Sequence, residues 1–272
     1  MTIFRRTTIV LTSVLAILAF SEAFANRRHF TYTYESAVLP KGSHELEIWN
    51  TIRLNRNIFY RANDTRSEFE FGLGGNLQTS LYLNLTSEST FLNSELNNSQ
   101  AFGFSNEWKY RMLDHAIDPI GLALYAEGAY SNDEIELEGK IILDKEVDGF
   151  IFALNGSIEQ SSITGVDGGN LKSQTETVSE ICGGVAYLVA HNFTLGVEAR
   201  QHIKHPPALE GGGSYSAFFA GPSLSFSGSN WWSAISVLPQ IFGRSDQVAN
   251  SDKFELSQHE KIEARLLLAF EF

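Results

Sequence analysis

Residues 258–272 read QHEKIEARLLLAFEF, and the reading of this stretch decides the fold. Taken in twos, Ile262, Ala264, Leu266, Leu268, Phe270 and Phe272 share one face. Glu263, Arg265, Leu267, Ala269 and Glu271 share the other. A period of two is a β-strand. One of its faces stays apolar to the last residue. A water-soluble sheet gains little from ending on an exposed Phe-Glu-Phe, whereas a membrane barrel gains a closing strand whose apolar face meets lipid.

The start of the chain says where such a strand would be used. Arg5 and Arg6 precede an apolar run from Ile9 to Phe20, and Ala23-Phe24-Ala25 has the small-x-small form of a cleavage site. Residues 1–25 therefore read as a secretory signal, too short to span a bilayer as a helix, with cleavage expected after Ala25. Cleavage would shift the formal charge from −12 to −13, because Arg5, Arg6 and Glu22 leave together. An acidic, exported chain without eighteen consecutive apolar residues is neither a helical membrane protein nor a nucleic-acid binder. Its one cysteine, Cys182, excludes an intramolecular disulfide, so a large core or lipid must stabilise the fold.

Twelve strand-like segments follow residues 26–42, roughly 43–55, 59–73, 77–90, 101–113, 119–131, 134–144, 149–160, 174–189, 193–203, 214–226, 231–242 and 258–272. Most exceed the roughly five or six residues of a soluble strand and reach the roughly nine to eleven that a tilted membrane strand needs. Counted back from the C-terminus, short connections (227–230, 190–192, 145–148, 113–118, 74–76) alternate with mostly long polar ones (243–257, 204–213, 161–173, 91–100), with Asn132-Asp133 as the exception. Bacterial outer-membrane barrels alternate in this way, with both termini in the periplasm. The expected fold is an all-β, antiparallel, up-and-down transmembrane barrel over residues 43–272 in the outer membrane of a Gram-negative cell. Residues 26–42 either lie in the periplasm or tuck into the lumen.

Parity assigns the faces. On 101–113, Phe102, Phe104, Trp108, Tyr110 and Met112 face lipid, opposite Glu107, Lys109 and Arg111. The same rule turns Glu45, Glu47, Arg53, Glu68, Glu70, Glu127, Glu136, Glu138, Lys140, Glu198, Arg200, Glu263 and Arg265 inward. A charge at the lipid midplane costs roughly 2–4 kcal/mol for Arg or Lys, so inward is where they belong. Two readings of this interior stay open. It is an acidic pore lining for small solutes, mildly selective for cations, or a structural network filling a closed barrel. Trp49 is sent inside by parity unless a bulge re-aims it. Trp231 and Trp232 at one rim, with Phe59, Tyr60, Phe91, Tyr130 and Phe242 near the other, read as interfacial girdles.

Catalytic signals are weak. His202 and His205 lie near Ser214, Ser216 and Glu210, but without the spacing of a nucleophile, base and orienting group. Gly-x-Ser-x-Gly does not occur, the His-x-x-His spacing of His202 and His205 is common for histidines in polar loops, and Gly211-Gly212-Gly213 lacks the strand–helix context of a phosphate cradle. No enzymatic activity, cofactor or metal is expected.

The run Tyr32-Thr33-Tyr34-Glu35-Ser36-Ala37-Val38-Leu39-Pro40-Lys41-Gly42, then Glu45-Leu46-Glu47, Glu68-Phe69-Glu70-Phe71-Gly72-Leu73 and Leu77-Gln78-Thr79-Ser80-Leu81-Tyr82-Leu83-Asn84, resembles poorly characterised proteobacterial outer-membrane β-barrels. These are akin to transporter-like or "MetA-pathway of phenol degradation" barrels, with Asp118-Pro119-Ile120-Gly121-Leu122 as a further echo. The resemblance implies the barrel and supplies neither a substrate nor site residues. The C-terminal pattern also looks like the signal by which such barrels are recognised for assembly. Phe270 and Phe272 would carry it, and the barrel-assembly machinery and outer-membrane lipid would be the partners.

Overall fold

The structure is a computed structural model that describes residues 27–272 except 93, 133, 168–169, 206–212 and 247–252. The expected signal segment lies outside the described residues. Twelve strands follow in chain order: β1 (His44–Leu54), β2 (Tyr60–Gly74), β3 (Leu77–Leu92), β4 (Glu95–Leu113), β5 (Gly121–Ser131), β6 (Glu134–Val147), β7 (Phe150–Asp167), β8 (Asn170–Ala190), β9 (Phe193–His205), β10 (Tyr215–Ser227), β11 (Trp231–Ser245) and β12 (Ile262–Glu271). Each pairs antiparallel with its sequence neighbours, and β12 closes the barrel on β1 from Glu45↔Glu271 to Leu54↔Ile262. Closure removes the sheet edges that would otherwise attract other strands. Among the described residues there is no helix.

Alternation explains which side of the wall each residue takes. Inward residues are buried, while outward ones are apolar and exposed: Leu137 and Ile158 each reach 63%. Such a belt is unfavourable in water and favourable against acyl chains. Asn106, an outward polar residue, is hydrogen-bonded by Trp108 Nε1 at 2.6 Å and donates to Ser80 O at 2.9 Å. The turns at the end shared by the termini are tight. Gly74, Gly75, Asn76, Asp148 and Gly149 take positive φ, and Asp148-Gly149 has the two positive values of a type I′ hairpin.

Several expectations change. The polar stretches 91–100 and 161–173 are largely strand, because β3–β4 and β7–β8 continue in register to Leu92↔Glu95 and Asp167↔Asn170. The backbone ladder persists there although apolar and polar residues no longer alternate regularly in the sequence. The closing strand starts at Ile262 rather than residue 258, and residues 258–261 turn into the barrel mouth, with Lys261 N donating to Asn55 O at 2.7 Å. Trp232 and Tyr60 are not girdle residues. Both point inward and are buried, whereas Phe59, Phe91, Tyr130 and Phe242 are exposed. Trp49 also points inward, without a bulge in β1, and its Nε1 donates to Glu47 Oε2 at 2.6 Å.

Candidate functional site

Residues 27–39 run inside the barrel, and the exposed turn at 40–42 leads from them into β1. This extended segment meets a difficulty of hydrogen bonding, because a closed sheet offers it no free edge and its buried N–H groups need partners. Wall side chains supply them. Glu198 of β9 accepts N–H bonds from Tyr32 (2.7 Å) and Thr33 (2.6 Å) on Oε1, and from Thr31 (3.2 Å) on Oε2. Its Oε2 also accepts from the hydroxyls of Thr31 (3.1 Å) and Ser236 (2.7 Å). Asn155 of β7 imitates a neighbouring strand: its Oδ1 accepts from Tyr34 N at 2.5 Å and its Nδ2 donates to Tyr34 O at 2.9 Å. Gln78 accepts from Leu39 N at 2.8 Å, and Ser223 donates to His29 O at 2.9 Å. These partners come from β3, β7, β9 and β10, so the segment crosses the lumen as a plug.

Side chains of the plug fill what the backbone leaves open. Phe30 packs on Gly184, where a Cβ would stand 2.4 Å from its ring, with Ile151, Ala153 and Ala186 around it. At Gly72 a Cβ would meet Pro40 O at 1.9 Å. Tyr32 lies between the Arg265 guanidinium, 3.7 Å from its ring centre, and that of Arg200 at 5.1 Å. Tyr34 receives Arg28 at 4.0 Å and Lys140 at 4.1 Å, and meets Tyr125 edge-on at 5.4 Å. Such cation–π contacts strengthen when desolvated. Glu35 folds the start of the segment, binding His29 N (3.1 Å) and Nδ1 (2.7 Å). Burial alone would lower the His29 pKa, but the charge and hydrogen bond of Glu35 outweigh it and raise it.

The predicted lining residues separate into two populations. Glu45, Glu47, Glu68, Glu70, Glu107 and Lys109 are sealed in the half of the barrel nearest the termini. Glu107 accepts from the Tyr82 hydroxyl. Glu198 is buried against the plug, and Lys140 lies 3.3 Å from Glu138. Arg111 sits at the turn below, 2.8 Å from Asp114, away from the lumen. Arg53, Glu127, Glu136, Glu138, Arg200, Glu263 and Arg265 line a polar cavity of about 540 Å³ in the other half, and Tyr32 of the plug is part of its lining. Phe270 and Phe272 are exposed at the termini end.

Charge in this cavity is divided between its walls. Glu127, Glu138 and Glu159 stand opposite one another across β5, β6 and β7, with Glu136 two residues along. Arg53, Arg66, Arg200, Lys204 and Arg265 come from β1, β2, β9 and β12. Arg66 pairs with Glu127 at 2.5 Å, Arg53 with Asp64 at 2.8 Å, and Arg200 with Glu180 at 2.5 Å and Glu263 at 2.6 Å. Among the described residues no ion pair reaches Glu136 or Glu159. One wall of the cavity thus keeps carboxyl groups that no cationic side chain pairs.

At its mouth, residues 253–261 fold inward and are held by Gln240, which accepts from Glu255 N (2.8 Å) and donates to Glu255 O and Glu260 O. Glu255 Oε2 lies 2.6 Å from His259 Nδ1, and His259 Nε2 lies 2.9 Å from His202 Nδ1. Burial lowers the His259 pKa, and Lys204 and Arg200 add to this against the pull of Glu255. His202 is therefore engaged with His259, while Ser214 Oγ donates to Asp246 at 2.8 Å at the exposed rim. No described contact joins the two into a nucleophile and base, and Glu210 lies outside the described residues.

Sequence reasoning missed Asn155, Gln78, Arg28 and His259. A polar Asn at an inward position of β7, between Ala153 and Ser157, was a usable signal for Asn155. Gln78, at an inward position of β3 two residues before Ser80, carried the same signal, whereas nothing local announces Arg28 or His259.

A family described as "Family of unknown function (DUF6662)" matches residues 22–272. No curated protein matches the chain. The translocator domain of the autotransporter NalP from Neisseria meningitidis is 10% identical, covers 98% of this chain and 95% of its own, and gives a TM-score of 0.51. The beta domain of the Bordetella autotransporter Brka is 9% identical over 85% of this chain and 100% of its own, also at 0.51. The NanC porin is 13% identical over 83% and 98%, at 0.48. At such identities the two autotransporter barrels share the fold and nothing finer.

Proposed function

The chain belongs to that family of unknown function, and we propose that it is an outer-membrane barrel that admits small polar solutes, with a preference for cations, into an outward-facing cavity closed below by its own N-terminal plug. The single observation that carries this reading is the floor of the cavity, where Tyr32 of the plug lies between Arg200 and Arg265. A solute entering from the far end meets the plug, so passage is coupled to displacement of residues 27–39. The exposed apolar belt supports the membrane setting, and the short turns beside the termini support a periplasmic position for that end. Carboxyl groups at Glu136 and Glu159, without an ion-pair partner among the described residues, favour cations. The reading involves no catalytic step. Phe270 and Phe272 serve recognition by the barrel-assembly machinery.

Single-channel conductance in a planar bilayer under a salt gradient tests it. The parent protein is expected to be closed, and a variant lacking residues 27–41 is expected to show discrete cation-preferring steps that weaken in Glu136→Gln/Glu159→Gln. Because deletion could impair folding, Glu198→Gln/Asn155→Ala serves as a second plug-loosening variant. Folded, inserted variants that never conduct would sink the solute reading and leave a closed structural barrel.

A further inference from the structure

Outside the cavity, the half of the barrel sealed by the plug holds a second cluster of charge. Glu45 of β1 stands directly opposite Glu70 of β2 on one side and Glu271 of β12 on the other, and Glu47 stands opposite Glu68. All five are at least nine-tenths buried. Like charges facing across strands repel, and burial removes the water that would screen them. One oxygen from each of Glu45, Glu47 and Glu70 lies within 4.8 Å of the other two.

The second observation is how these oxygens are left. Trp232 Nε1 donates to Glu45 Oε2 at 3.0 Å and Trp49 Nε1 to Glu47 Oε2 at 2.6 Å, which orients both carboxylates. Arg28 of the plug comes within 3.8 Å of that same Glu47 oxygen. Glu45 Oε1, Glu47 Oε1 and Glu70 Oε2 receive no hydrogen bond from the described residues. Both oxygens of Glu68 and of Glu271 are in the same condition. Lys109 and Arg28 are the cations sealed in beside the five carboxylates, so the donor-less buried oxygens need further counter-charge.

We propose that Glu45, Glu47 and Glu70 bind one divalent cation of the Ca²⁺ class between β1, β2 and the plug. An all-oxygen, all-carboxylate donor set selects a hard cation over zinc or copper. Oxygens at this mutual spacing suit a metal–oxygen distance of about 2.3–2.6 Å in a flexible shell. Arg28 ties the same Glu47 to the plug, so the ion would also fasten the plug to the wall.

The test uses the mature chain refolded in detergent free of lipopolysaccharide, stripped with EDTA and titrated calorimetrically with Ca²⁺ and, in parallel, Mg²⁺. One Ca²⁺ per chain is expected, with affinity at least about tenfold weaker in Glu70→Gln and in Glu45→Gln. Glu95→Gln, on the distant β3–β4 hairpin, should bind as the parent does. Thermal melts guard against misfolding: Ca²⁺ should raise the midpoint of the parent but not of Glu45→Gln/Glu70→Gln. A folded parent that takes up neither ion overturns the proposal and leaves shared protons as the neutralising charge. So does equal loss of binding in Glu95→Gln.

Discussion

Glu198→Gln isolates the grip of the wall on the plug. In the parent, Oε1 holds Tyr32 and Thr33, while Oε2 holds Thr31 N, the Thr31 hydroxyl and Ser236. An amide keeps one acceptor oxygen and replaces the other with a donor. With the carbonyl serving Tyr32 and Thr33, the new NH₂ faces the Thr31 N–H, which loses its acceptor. A hydrogen bond to a charged group contributes about 1.5–3 kcal/mol, and a buried donor left unpaired costs about 1–3 kcal/mol. The loss is roughly 3–5 kcal/mol, or about two to three and a half orders of magnitude in the ratio of docked to released plug. Thr33→Cys, in a Cys182→Ala background, provides the reporter, because Thr33 is fully buried. Labelling by a bulky maleimide should be slow in that protein and accelerate about a hundredfold or more when Glu198→Gln is added. A change within twofold, with the barrel still folded by its heat-modifiable migration, would refute the clamp.

Other outcomes follow from the same contacts. Gly184→Leu should expel the Phe30 ring at a cost of about 1–3 kcal/mol, and Phe30→Ala in the same chain should recover part of it, measured as non-additivity in urea melts. Leu137→Arg, on the outer face between two inward glutamates, should lose about 2–4 kcal/mol of folding free energy in vesicles, while Glu138→Arg should not show that lipid penalty. Two histidines give opposite pH dependences. The Asp144 hydrogen bond raises the His115 pKa, so its contribution is complete below the unfolded value near 6.5 and fades as pH rises through the folded value. Burial lowers that of His259, so stability is lost as pH falls below about 6.5 and the unfolded chain takes the proton first. Melts of His115→Asn and His259→Phe against pH should remove the first and second slopes respectively.

Much of the architecture could be read residue by residue. Alternation in 262–272 and 101–113 named the lipid face, because the pleat makes side-chain direction a function of parity alone. Strand ends were less legible. Residues 91–100 and 161–173 lack a regular apolar alternation, yet their described residues pair in register, since a backbone ladder needs no apolar side to persist. Trp232 and Tyr60 carry the composition of a girdle but fall on the inward parity, where Trp232 serves Glu45 and Tyr60 lies under the Arg56 guanidinium at 3.6 Å.

By itself, the sequence determined that this chain forms a twelve-stranded barrel with charge inside and an apolar belt outside. Both follow from a two-residue period and the cost of charge in lipid. Only the tertiary structure decided that residues 27–39 occupy the lumen, dividing one charged interior into a sealed carboxylate cluster and an open mixed-charge cavity. That outcome depends on contacts such as Tyr32 with Glu198, Tyr34 with Asn155 and Phe30 with Gly184, which join positions more than a hundred residues apart. No local period encodes them, because they exist only once the barrel has closed and left the segment no strand edge to join.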